Sequence, residues 1–71
     1  MITTLARYRV IKGGTSYRWK VGDIWEVIHY DFEKDRGYNH LCRKRISYLN
    51  GSSLAREHVR SGHFQLIEET P

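Results

Sequence analysis

Two groups of cations in this chain are interleaved with aromatic rings. Lys12, Arg18 and Lys20 surround Tyr17 and Trp19, and Arg36, Arg43, Lys44 and Arg45 surround Tyr38, Asn39 and His40. Cations attract phosphates, exposed rings stack on bases, and an Arg side chain can hold a phosphate in a two-pronged fork. Lys12, Arg18, Lys20, Arg43, Lys44 and Arg45 are therefore candidates for nucleic-acid binding. The plainer reading stands beside this one. Arg and Lys at alternating strand positions make an ordinary solvated face, and Trp19 and Tyr38 could belong to a core. No RRM-type aromatic signature, Gly-x-x-Gly clamp or zinc-finger spacing is present.

The same residue types also suit a protein partner, because Tyr, Trp and Arg dominate interface hot spots. Arg18, Trp19, Phe32, Arg36 and Tyr38 are the candidates for that role. Phe32 is the most telling, since it sits inside the charged run Asp31 to Arg36. It is either an exposed anchor or a ring that folds back over the core.

Metal and catalytic chemistry are less well served. His40 and Cys42 are two apart and His58 and His63 five apart, whereas structural zinc takes four ligands at close pair spacings. Cys42 has no cysteine partner and reads as a small buried hydrophobe. As a nucleophile it would need a base and an orienting third group, and only His40 is near in sequence. Asp23 is explained by bonding to the backbone of its own turn. Gly13-Gly14 lacks the Gly-x-x-x-x-Gly-Lys pattern of a phosphate loop. No catalytic residue, metal, cofactor or small-molecule substrate is expected.

The scaffold that must position these residues is small. A 71-residue chain makes one domain and buries only about 60% of the surface it exposes when unfolded. Carving a deep pocket from such a core removes much of what holds it together, which argues against an enzyme. Charge is uneven: 12 Lys and Arg stand against 8 Asp and Glu, yet residues 1–20 contain no acidic residue. Acidic residues gather at Asp31, Glu33 and Asp35 and again at Glu68 and Glu69, so one positive face and one negative rim are expected. One cysteine allows no internal disulfide, and no window approaches a membrane span; the cytoplasm is the expected compartment.

Periodicity points to strands. Leu5 to Ile11 alternates, with Ala6, Tyr8 and Val10 inward and Arg7 and Arg9 outward. Val21-Gly22-Asp23 reads as a tight turn, and Ile24 to Tyr30 as a central strand apolar on both faces. Asp31 to Gly37 reads as a hairpin loop and Tyr38 to Ile46 as the return strand, its pattern broken at Lys44-Arg45. Ile46 to Leu49 continues extended or turn structure, and Asn50-Gly51-Ser52 reads as a turn. Ser53 is positioned to cap one or two helical turns over Leu54 to Val59, ended by Arg60-Ser61-Gly62. His63 to Glu68 reads as the last strand, with Phe64 and Leu66 inward.

Lys20-Val21-Gly22-Asp23-Ile24-Trp25-Glu26-Val27-Ile28 is similar to the Lys-x-Gly-Asp-x-x-x-Val pattern of SH3-like small barrels. His58 to Ile67 resembles their ending, a short turn and a closing strand. The resemblance covers residues 5–67 and implies a partly open antiparallel barrel that binds peptides, proteins or nucleic acid. The acidic loop and paired aromatics of proline-recognising SH3 domains have no clear match here. The single-module layout also resembles accessory proteins of bacteriophages, which implies a host macromolecule as partner and the host cytoplasm as location.

The expectation is a mainly β, SH3-like, partly open barrel of about five strands with at most one short helical turn, a single domain with its core over residues 5–67. It would act as a non-catalytic binding module, with a protein partner preferred to DNA or RNA. Trp25, in the most apolar strand, should be buried.

Overall fold

The computed structural model describes residues 2–13, 19–30 and 38–70, with Tyr30 and Tyr38 described by backbone alone. Over these residues it is mainly β, with five antiparallel strands in one open sheet and a single short helix. β1 is Ile2–Val10, β2 Ile24–Tyr30, β3 Tyr38–Arg43 and β4 Ile46–Leu49; α1 is Gly51–Arg60 and β5 Phe64–Glu69. The sheet order is β4-β3-β2-β1-β5. The first four strands form a meander, and α1 carries the chain back across the sheet so that β5 pairs with β1. β2 lies at the centre, as its two apolar faces require.

Alternation sorts each strand into two faces. Ala6, Tyr8 and Val10 of β1 stand beside Val27 and Trp25 of β2, Leu41 of β3 and Phe64 of β5, all buried. Ala55 of α1 completes this core. Trp25 is wholly buried, as expected. Leu66 is not: it faces Tyr8 from the edge strand but stays 43% exposed. An edge strand has a neighbour on one side only, and its register with β1 shifts between Arg7 and Tyr8. Cys42 is also displaced from its expected place. It points with Glu26 and Ser47 to the outer face of the sheet and is half-buried there, outside the core.

The helix is longer than the Leu54–Val59 expectation and starts differently. Asn50 takes the left-handed conformation at the N-cap without a side-chain cap, and Ser53 is exposed. The capping oxygen comes from β3 instead, where Asn39 Oδ1 accepts the Ser52 N–H at 2.9 Å. Gly51, expected in a turn, is the first helical residue and rests on β3; a Cβ there would meet Leu41 N at 2.2 Å and the His40 carbonyl carbon at 2.3 Å. Only glycine allows helix and strand backbones to approach so closely. At the other end the Gly62 N–H donates to the Val59 carbonyl and the His63 N–H to the His58 carbonyl. With Gly62 at φ +83°, this is a Schellman stop, and it turns the chain directly into β5.

Candidate functional site

Antiparallel pairing brings five strand ends together. Arg9 faces Ile24, Arg43 faces Ile46, and Val10 faces Phe64. The end of β1, the start of β2, the β3–β4 turn and the start of β5 therefore lie along one end of the sheet, as does the C-terminus of α1 through its Schellman stop. Four neighbour spacings across five strands make this end about 19 Å wide.

Backbone and side-chain bonds lock the end together. The Val10 N–H donates to the Asp23 carbonyl and the Gly22 N–H to the Val10 carbonyl. The Asp23 N–H donates to the Lys20 carbonyl, closing a turn in which Gly22 supplies φ +94°. The Ile11 N–H donates to the His63 carbonyl, and His63 Nδ1 bonds the Lys12 carbonyl at 3.1 Å. The Asp23 side chain does not bond its own turn, contrary to expectation. It accepts from Arg43 at 3.1 Å, with both groups half-buried.

The two cation groups, about 25 residues apart in sequence, thus converge. Lys12, Lys20, Lys44 and Arg45 are exposed at this end, and Arg60 joins them from the last turn of α1. Among the described residues these five form no ion pair. Arg43 differs, because Asp23 already holds its guanidinium. Lys44 sits at φ 54°, the left-handed position that turns β3 into β4 and makes the Lys-Arg pair a hairpin tip. Exposed aliphatics stand among the cations: Val21 at 66%, Ile11 at 47%, and Ile24 and Val59 nearby. Sequence reasoning missed this apolar component; a strand-ending Ile11 and a turn Val21 were the available signals.

Trp19 does not stand among them as a free ring. Its centroid lies 4.6 Å from Trp25 and 4.6 Å from His58, with Phe64 at 5.4 Å and Tyr48 at 5.8 Å. The ring closes the core beneath the C-terminal half of α1. His58 packs there too, 4.7 Å from Phe64, with its Nε2 buried and unpartnered among the described residues. Burial pushes the His58 pKa below the ordinary value, and neighbouring His63 pushes it further, against a smaller opposing pull from Glu57. Arg18, Phe32 and Arg36 lie outside the described residues. Tyr38 opens β3 opposite Tyr30, at the far end of the sheet from the cations.

On the outer face, Arg7 binds Glu26 at 3.2 Å and Glu68 at 3.1 Å. These exposed pairs are worth little each, but they remove Arg7 from any free positive surface. His40 Nδ1 bonds Ser47 Oγ at 3.2 Å. Burial, and then Glu26, push the Cys42 thiol pKa up, which is the wrong direction for a nucleophile. Among the described residues no group of three or more His, Cys, Asp or Glu could hold a metal, and no helix is long and apolar enough to cross a membrane.

The sequence matches no known family model, and neither a curated protein nor a solved structure is similar to it.

Proposed function

We propose that this chain is a small non-catalytic binding module, SH3-like in its strand order, that engages an acidic protein surface through the basic end of its sheet. One observation carries the reading: Lys12, Lys20, Lys44, Arg45 and Arg60 are exposed together, with Ile11, Val21, Ile24 and Val59 exposed among them. Cations interspersed with aliphatic groups suit a protein surface that offers carboxylates and apolar contacts at once. A phosphate backbone rewards the cations and leaves the aliphatics wet. Base stacking needs a free ring, and Trp19, the described aromatic among these residues, is engaged by four neighbours.

Duplex DNA or RNA is the second reading, because charge alone can hold phosphates without stacking. Anisotropy titrations with labelled poly-L-glutamate and with a short DNA duplex, at roughly 50 and 200 mM salt, separate the two. The protein reading expects saturable binding to poly-L-glutamate that weakens with salt and falls about tenfold in Lys44→Glu/Arg45→Glu. Equal affinity in the double variant would refute the site. Tighter binding to the duplex than to the polypeptide would transfer the site to nucleic acid.

A further inference from the structure

An open sheet has two edges, and this chain treats them differently. An edge strand presents unpaired N–H and C=O groups to which a further strand can bond, and proteins guard such edges with bulges, charges or proline. β5 is guarded twice. Its register against β1 shifts between Arg7 and Tyr8 and leaves Ile67 without a partner, a bulge that breaks the regular spacing of its outer groups. It also carries Glu68 and Glu69, both exposed. β4 has neither device. Ile46-Ser47-Tyr48-Leu49 holds no charge and no proline, and it pairs with β3 residue for residue, from Arg43 and Ile46 to His40 and Leu49.

Alternate residues of an edge strand turn their backbone groups away from the sheet. Arg43 and Ile46 flank the two-residue turn Lys44-Arg45 and so face each other as a hydrogen-bonded pair. Counting on from Ile46, the residues that turn outward are Ser47 and Leu49. Both are exposed, Leu49 by 65%, and among the described residues β3 is the only strand beside β4.

We propose that the β4 edge receives an extended acidic segment of another protein as an additional strand, antiparallel to β4. The chemistry of the occupant follows from what stands at each end of the edge. β4 starts from the Lys44-Arg45 tip, exposed and without an ion pair among the described residues, and it finishes at the exposed aliphatic Leu49. The edge is about 10 Å long, room for four partner residues. Every pairing in this sheet is antiparallel, and that arrangement is the more stable per residue. A segment so placed has apolar residues first and carboxylates after them, beside Lys44 and Arg45. A second copy of this chain fits less well. β4 paired with itself about a twofold axis sets Ile46 against Leu49 and leaves both Lys-Arg tips unanswered, between chains that each carry a charge of +4. The inference rests on the basic end as a surface for acidic protein and adds the backbone pairing that holds the partner there.

An NMR titration of the full chain with the peptide acetyl-Thr-Val-Thr-Val-Glu-Glu-Glu tests it, beside the same peptide N-methylated throughout its Thr-Val half. Methylation keeps the charge and removes the N–H donors. The parent peptide should bind saturably, shift the Ser47 and Leu49 amides and slow their hydrogen exchange, and the methylated one should bind about tenfold more weakly. Ser47→Pro deletes an outward donor at a position an edge strand tolerates. It should weaken the parent peptide by a similar factor and leave poly-L-glutamate binding unchanged; the methylated peptide on the unaltered chain carries the test if that variant does not fold. Equal affinity for the two peptides, with shifts confined to the basic end, would overturn the strand pairing and leave the basic end standing. No binding of either peptide or of poly-L-glutamate would refute the basic end and the pairing together. Protection of the Ser47 and Leu49 amides before peptide is added, in a chain that sediments as a dimer, would give the edge to a second copy and overturn the proposal.

Discussion

The two halves of the space beneath α1 are built from similar strands and filled differently. Under the C-terminal half, Trp19 enters from the β1–β2 connection and packs with Trp25, Tyr48, His58 and Phe64. Under the N-terminal half the sheet offers Ala6 and Val27, and a cavity of about 400 Å³ remains. The contrast is one of supply. A sheet five strands wide cannot be covered by a ten-residue helix alone, so the rest must come from a connection. The chain delivers a ring at one end and leaves the other with small side chains and charged walls. The filled half supports the cationic end.

Emptying the filled half should have the largest effect. Trp19→Ala removes a ring with four aromatic neighbours and should cost about 3 kcal/mol of stability, measured by urea unfolding. A stable, fully folded variant would mean that Trp19 is a surface anchor and that the two halves do not differ as described. Filling the hollow half should act in the opposite direction. Ala6→Val adds two methyl groups to a side chain that lines the cavity and suits a strand, so stability should rise by up to about 1 kcal/mol. A cost of about 2 kcal/mol, the overpacking range, would show the two halves to be equally tight.

The smallest effect is a pH dependence confined to the filled half. The folded state holds His58 below its ordinary pKa of 6.5, chiefly by burial. As pH falls through that value the unfolded chain takes the proton first, so the folded state loses stability. The loss grows until the lower, folded pKa is passed. Thermal melts should therefore show a Tm that declines between neutral pH and mildly acidic pH. His58→Phe, which keeps the ring packing, should flatten that part of the profile; an unchanged slope would assign the dependence to other histidines.

Several elements are legible in the sequence. β2 was plain from its β-branched and aromatic run, and its central place from apolar groups on both faces. The return strand expected over Tyr38 to Ile46 ends at Arg43 instead: Lys44, whose break in the pattern was visible, takes φ 54° and turns the chain into β4, a separate strand. The start of α1 was not legible, because its cap is lent by Asn39 of another strand, and the local sequence offers only Ser53. Gly51 looked like turn punctuation because the steric reason for glycine there is the β3 backbone. The cation clusters were visible as residues, but their convergence depended on which strands pair. Trp19 could be placed neither in a core nor on a surface, since a ring in a polar segment carries no periodicity to decide it.

The chain by itself determined the positions of its central and flanking strands, the Gly22 turn and its excess of positive charge, because these follow from side-chain shape, glycine's freedom and simple addition over neighbouring residues. Only the tertiary structure decided that the two basic groups share one end, that Arg43 is held by Asp23, and that Arg56 and Glu69 line one hollow. Each of these depends on residues far apart in sequence, and distance in space is set by strand pairing and helix packing. Local patterns report what a segment tends to be; only the whole fold reports what it stands beside.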